Sequence, residues 1–140
     1  MTRITASLLI GLGLLLAKAA QAAEPNCSGF GGMIHGQSTC RSLDFATGKV
    51  TESASRVMSG PGVVSLTCEQ KHSFGKHEVQ VVCSSKPAGE YTRTIEISLV
   101  VDGKPSVLLD KHTGFWDFIN VWMKATEGGI QLTIDYGVLD

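Results

Sequence analysis

The sequence has no excess of either charge and few aromatic residues. Its 140 residues carry 12 basic and 13 acidic side chains, a formal net charge of −1, and only 6% are aromatic. A nucleic-acid-binding domain of this size is normally strongly basic, so the charge balance argues against that class. The length is that of a single domain, which excludes a two-domain enzyme.

The motifs that carry common enzyme chemistry are missing as well. The chain has no G-x-S-x-G nucleophile elbow, and its glycine-rich segment at residues 28–32 lacks the lysine of a phosphate loop. The histidines are scattered, and no C-x-x-C pair provides the close ligand spacing of a zinc site. We therefore expect a protein that is not an enzyme, with no catalytic residue, no metal site and no cofactor.

Only one long apolar run is present, and it lies near the N-terminus. Residues 7–17 are apolar or small, Arg3 precedes them, and Ala20-Gln21-Ala22 follows in the pattern of a cleavage site. This layout predicts a secretory signal peptide over residues 1–22 and a single mature domain over residues 23–140. The run is too short to span a bilayer, so we expect no membrane insertion after cleavage. Periplasm is the expected location, with secretion as the second choice.

The mature chain contains an even number of cysteines: Cys27, Cys40, Cys68 and Cys83. In an exported chain this number predicts two disulfides. A hairpin between residues 63–68 and 78–83 with its turn at Gly75-Lys76 would place Cys68 opposite Cys83, which leaves Cys27 for Cys40. A turn at Ser73-Phe74 aligns apolar residues better but separates Cys68 from Cys83 by ~13 Å along the strand. The first register is favoured because that distance is too long for a disulfide.

Alternating apolar residues predict strands through most of the mature chain. The clearest cases are Thr94–Val101, Ile119–Ala125 and Ile130–Tyr136, and glycine-containing turns separate such segments. The pattern predicts an all-β fold, a small antiparallel sandwich or barrel of seven or eight short strands with little helix, stapled by disulfides.

Two hairpins can be aligned residue by residue. A turn at Glu127-Gly128 sets Met123 opposite Leu132, and a turn at Gly128-Gly129 also keeps the apolar residues on one face. Residues 115–123 also fit the apolar spacing of an amphipathic helix. The aromatic and β-branched character of that segment favours the hairpin. A three-residue turn at Asp102–Lys104 sets Leu99 opposite Val107 and Ile97 opposite Leu109, and it keeps more apolar pairs on one face than a two-residue turn.

Four aromatic residues are the candidate binding residues. If residues 116–122 form a strand, then Trp116, Phe118 and Trp122 point to the same side, away from Ile119. Such an apolar stripe would suit a partner protein or a sugar ring, and the alternative is that this side packs against a second sheet as core. Phe74 is a further candidate because a hairpin tip is an unusual place for a core aromatic residue.

These observations lead to a functional expectation without a family resemblance. We expect an exported, non-enzymatic protein-binding module, in concrete form a periplasmic inhibitor or immunity protein against an enzyme that acts on the cell envelope. The expected partner is another protein, and we expect no binding of nucleic acid. The alternatives are a domain that binds a small ligand or carbohydrate and a structural component of an envelope assembly, which would accept a partner strand at an exposed sheet edge.

Overall fold

The computed structural model describes Cys27, residues 36–57 and residues 60–137. Within these ranges the chain forms nine strands and no helix, and therefore no helix that could cross a membrane. The strands are β1 (Gly36–Asp44), β2 (Val50–Glu52), β3 (Val63–Leu66), β4 (Lys71–Phe74), β5 (His77–Pro87), β6 (Arg93–Val101), β7 (Val107–Gly114), β8 (Phe118–Thr126) and β9 (Gly129–Gly137). The all-β prediction is confirmed, and the predicted signal peptide lies outside the described residues.

The strands form two antiparallel sheets that pack face to face. One sheet has five strands in the order β2-β1-β9-β8-β3, and the other has four in the order β4-β5-β6-β7. The chain crosses from the first sheet to the second between β3 and β4 and returns between β7 and β8. Neither sheet closes on itself, so the fold is a sandwich and not a barrel.

One hydrophobic core fills the space between the sheets. Its fully buried apolar side chains come from both sheets and are Val79, Val81, Ile97, Leu99, Val121, Met123, Ile130, Leu132, Ile134 and Tyr136. Each such aliphatic side chain contributes about 1.5–3 kcal/mol when it is removed from water. The alternation that predicted the strands is therefore the alternation between this core and the outer faces.

The β8–β9 hairpin is present, and of the two turns that the alternation allows it has the one at Glu127-Gly128. Met123 lies opposite Leu132 and Val121 lies opposite Ile134, and the two-residue turn joins Thr126 to its partner on β9. The helical alternative for residues 115–123 is wrong. It fails because Val121 is fully buried in the sheet core, whereas the helix would have placed this residue away from its apolar face.

The β6–β7 hairpin has the predicted turn but departs from the predicted register farther along. Leu99 pairs with Val107 as expected, whereas Ile97 pairs with Asp110 and not with Leu109. A bulge between Ile97 and the next residue causes the shift. Leu109 is the extra residue and lies in the core, where it is 3% exposed, and the shift places Asp110 opposite the core residue Ile97.

The predicted hairpin from residues 63–68 to 78–83 is only partly correct. Residues 63–66 form β3, which pairs with β8 in the five-stranded sheet, and only residues 71–74 pair with β5. The chain changes sheet between them, where Glu69 takes a left-handed backbone conformation with φ of 72°. The predicted turn, with Phe74 opposite His77, is confirmed.

Both predicted disulfides are present. Cys27 is bonded to Cys40 with Cα atoms 5.8 Å apart, and Cys68 is bonded to Cys83 with Cα atoms 5.5 Å apart. Two such bonds are typical of an oxidising compartment, so the protein matures outside the cytoplasm. The second bond ties the sheet-crossing segment to the middle of β5.

A short segment covers the outer face of the five-stranded sheet. In residues 53–57, which we call the strap, the amide of Val57 donates to the hydroxyl of Thr133 at 2.7 Å. The side chain of Gln131 donates to the carbonyl of Ser55 at 2.9 Å. Thr133 points away from the core and is nevertheless fully buried. The strap is thus a third layer that removes part of this face from water.

Tyr136 is the largest fully buried side chain. Its hydroxyl donates to Oδ2 of Asp110 at 2.7 Å, and Asp110 also faces the guanidinium of Arg41 at 3.4 Å. Burial first, and the bond to Asp110 second, raise the pKa of Tyr136 far above its ordinary value of 10.0. The interior of the sandwich therefore holds a tyrosine hydroxyl that keeps its proton.

This environment predicts how the fold responds to alkali. The folded state binds the Tyr136 proton more tightly than the unfolded chain, so the stabilisation is complete below about pH 10 and is lost above it. In a Tyr91→Phe variant, Tyr136 is the only tyrosine. We expect tyrosinate absorbance in that variant to rise only together with the loss of the β-sheet circular-dichroism signal. Tyrosinate absorbance in the folded protein would contradict the buried, hydrogen-bonded placement.

Candidate functional site

The outer half of the β5–β6 hairpin is the most exposed part of the described chain. All ten residues from Ser84 to Arg93 are exposed. The two strands remain paired to the end, with Pro87 opposite Arg93. We call residues 84–93 the arm. It is the far end of β5, where this strand is the edge of its sheet, together with the turn into β6, and none of its residues is buried.

Hydrogen bonds hold the arm in one conformation. The amides of Ala88 and Gly89 both donate to the carbonyl of Thr92, at 3.0 and 3.3 Å, and close the tip. The guanidinium of Arg93 donates from Nε to the hydroxyl of Ser85 at 2.5 Å across the two strands. At the base of the arm, the Cys68–Cys83 disulfide anchors the residue that directly precedes Ser84. The arm is consequently ordered before any partner arrives.

Two exposed aromatic side chains lie at the arm end of the sandwich. Tyr91 at the tip is 76% exposed and Phe115, between β7 and β8, is 58% exposed. The pairing of Arg93 with Gly114 brings the loops that carry them to the same end of the four-stranded sheet. Leu108 is the third large apolar residue with high exposure among the described residues, at 51%, and it lies along β7 instead.

The three aromatic residues predicted as one stripe do not lie on one face. Trp116 precedes β8 and packs between the sheets, with its ring 5.2 Å from that of His112 and 5.4 Å from that of Tyr136. Phe118 lies on the outer face, directly over Gly137. Both are half-buried and both lie at the arm end. The expectation of a shared side fails for Trp116 because the strand begins only at Phe118.

Trp122 and Phe74 lie elsewhere. Trp122 is half-buried on the outer face of the five-stranded sheet, where its Nε1 donates to Oδ2 of Asp135 at 2.9 Å. Phe74 lies at the end opposite the arm, packs partly against the core and meets the ring of His72 edge-on at 4.8 Å. Of the four predicted candidates, the structure therefore brings only Trp116 and Phe118 to the arm end.

Sequence reasoning did not identify Tyr91 and Phe115. A usable signal exists, because residues 84–93 are polar at both parities and contain a Pro-Ala-Gly break. A strand that is polar on both faces cannot contribute to a core, so an aromatic residue at its tip has to be exposed.

The described residues offer little that is typical of catalysis. They contain no group of three histidine, cysteine or acidic side chains that could hold a metal ion. A histidine–carboxylate pair does occur at the end opposite the arm, where Nδ1 of His77 lies 2.7 Å from Oδ2 of Asp102. The hydrogen bond from His77, followed by that from the Glu78 amide, lowers the pKa of Asp102.

The chain matches no protein-family model, no curated protein and no solved structure.

Proposed function

We propose that the protein is an exported, non-enzymatic binding module and that the arm end is its contact surface for another protein. One observation carries the proposal: two exposed aromatic residues, Tyr91 and Phe115, lie at the same end of the sandwich as a hairpin that is already ordered. Exposed large aromatic residues on an otherwise polar surface mark sites of protein recognition. The two disulfides are consistent with a module that works outside the cytoplasm.

The energetics of binding favour the arm over the rest of the surface. Tyrosine supplies a large contact area with few rotatable bonds, and a residue of this kind at the centre of an interface contributes about 2 kcal/mol or more. An ordered hairpin loses little further conformational freedom on binding, which preserves that contribution. Arg93, fixed across the arm by Ser85, adds a charged group that is already oriented.

The more specific form of the proposal is a periplasmic inhibitor or immunity protein against an enzyme that acts on the cell envelope. The tip of the arm supports this form, because a turn of only five residues between paired strands, 88–92, is narrow enough to enter a substrate cleft. The predicted signal peptide and the small, disulfide-bonded scaffold support it as well. A panel of purified muramidases, amidases and endopeptidases, each assayed on cell-wall suspensions, tests it directly. Failure to inhibit any of them would reject this form.

Site-specific photo-crosslinking tests the contact surface without knowledge of the partner. A photoreactive amino acid placed at Tyr91 is expected to capture a defined protein in intact cells. The same amino acid at Leu108 provides the matched control, because Leu108 is also exposed and apolar but lies away from the arm end. Equal capture from the two positions would contradict a specific site.

Substitution of the two aromatic residues then measures their contribution. We expect Tyr91→Ala and Phe115→Ala each to weaken binding of the captured partner about 30-fold, the effect of losing about 2 kcal/mol at a binding hot spot. Leu108→Ala is expected to change affinity by less than about threefold, as a residue outside the interface does. Isothermal titration calorimetry provides the measurement. Unchanged affinity in both aromatic variants would show that the arm end is not the interface.

A further inference from the structure

A cleft opens at the end of the sandwich opposite the arm. Three turns surround it, from β1–β2, β4–β5 and β8–β9, and the open space between them has a volume of about 590 Å³. That volume lies within the range of small-molecule sites in proteins. We call it the end cleft. Its lining residues from the first two turns are Phe45, Ala46, Phe74, Gly75, Lys76 and His77.

One wall of the end cleft is held rigid. The ring of His77 stacks on that of Phe45, with centroids 4.3 Å apart. The carboxylate of Asp102 accepts a hydrogen bond from Nδ1 of His77 at 2.7 Å and another from the amide of Glu78 at 2.9 Å. Asp102 is itself fixed, because its own amide donates to the carbonyl of Glu78 at 2.9 Å. The stacked rings are therefore set before a ligand binds.

The lining combines an apolar floor with a basic rim. Phe45 and Phe74 pack partly against the core and also line the cleft, and Ala125 contributes from the third turn. The charged or chargeable side chains among the described lining residues are Lys76 and His77, and no carboxylate belongs to the lining. An apolar floor selects an apolar body, and an exposed lysine at the rim selects an anionic group.

We propose that the end cleft binds a small carboxylate with an apolar tail or ring. The apolar part lies against Phe45 and Phe74, and the carboxylate meets the ammonium of Lys76. Because the end cleft and the arm lie at opposite ends of β5, this site is separate from the proposed protein-contact surface. Loss of one activity therefore leaves the other intact, and the two proposals fail independently.

Nuclear magnetic resonance titration of the whole mature protein tests the site. The probes are octanoate and 3-phenylpropionate, each compared with its neutral amide, which has nearly the same shape. We expect saturable shifts of the backbone amides of residues 74–77 and 125–129, with either carboxylate bound at least fivefold more tightly than its amide. If neither carboxylate gives saturable shifts there, or if each amide binds as tightly as its acid, the proposal is overturned.

Two substitutions locate the contacts. Lys76→Glu is expected to weaken octanoate binding at least fivefold, whereas Lys111→Glu, the same charge reversal at an exposed lysine on β7 that faces Glu96, is expected to leave it unchanged. Phe45→Leu keeps apolar volume but removes the ring stack with His77, and we expect it to weaken 3-phenylpropionate at least threefold. Equal effects of the two lysine substitutions would reduce the binding to general charge attraction and would overturn the proposed site.

Discussion

Replacement of Gly129 by alanine is expected to destabilise the fold severely. Gly129 opens β9 and pairs with Asp44 at the end of β1. A Cβ atom at this position would lie 2.0 Å from the carbonyl oxygen of Leu43 and 3.3 Å from the Cα of Asp44. These are backbone atoms, so no side-chain rotation can relieve the overlap. The strands would have to separate, and we expect a loss of at least about 3 kcal/mol, at the upper end of the overpacking range.

Gly128 provides the matched control one residue away. It takes a left-handed conformation with φ of +81°, but a Cβ there would meet no atom within 4 Å. Gly128→Ala therefore introduces only backbone strain, about 1–2 kcal/mol. Denaturant unfolding of both variants with the disulfides intact gives the comparison. A loss in Gly129→Ala no larger than that in Gly128→Ala would mean that β1 and β9 do not approach as closely as described.

The same turn illustrates what the sequence could predict. The β8–β9 hairpin was predicted because apolar residues alternate on both sides of a glycine-containing turn, and a pairing offset by one residue would expose every one of them. Turns at Glu127-Gly128 and at Gly128-Gly129 both keep these residues on one face, so the alternation alone does not choose between the two. The disulfide between Cys68 and Cys83 could be predicted for a similar reason, since only one of two registers brought the sulfurs within reach. Constraints of this kind depend only on residues that are close together in the sequence.

Where two partners compete, the local pattern is insufficient. Residues 63–66 alternate as a strand would, but the pattern does not state that β8 and not β5 is the neighbour. That choice depends on contacts between residues that are far apart in the sequence. The bulge after Ile97 is equally invisible, because the side chains of Leu109 and Asp110 are accommodated only once the opposite sheet is in place.

The candidate site shows the same limit. Trp116 and Trp122 were selected as large aromatic residues on one predicted side, but exposure depends on layers that the local pattern does not reveal. Trp116 is covered by the two sheets, and Trp122 is tied to a buried carboxylate under the strap. Tyr91 carries no such cover because the arm has no apolar face at all.

Removal of the carboxylate of Asp135 is expected to have an effect as large as that of Gly129→Ala. Asp135 is 3% exposed although it lies on the outer face of its sheet. Its Oδ2 accepts hydrogen bonds from Arg56 at 2.6 Å and from Trp122 at 2.9 Å, and its Oδ1 accepts one from Ser38 at 2.6 Å. This buried carboxylate ties Arg56 of the strap to the sheet, in addition to the hydrogen bonds that the strap makes with Thr133 and Gln131.

Asp135→Ala leaves the guanidinium of Arg56, whose side chain is 9% exposed, without its opposite charge. A buried ion that loses its partner costs about 3–5 kcal/mol, mainly because the remaining charge stays out of water. The strap is expected to detach to rehydrate Arg56. The change is then visible as faster hydrogen exchange of the Val57 amide, which is otherwise bonded to Thr133.

Glu78→Ala is the control, because it removes an ion pair that is exposed to water. Glu78 faces Lys71 at 3.9 Å, and both side chains are more than half exposed. Exposed pairs contribute about 0–1 kcal/mol, so this variant should unfold at nearly the denaturant concentration of the wild type. The difference between the two variants isolates the effect of burial under the strap. Similar stability of Asp135→Ala and Glu78→Ala would mean that water reaches Arg56 in the native protein and that the strap does not seal this face.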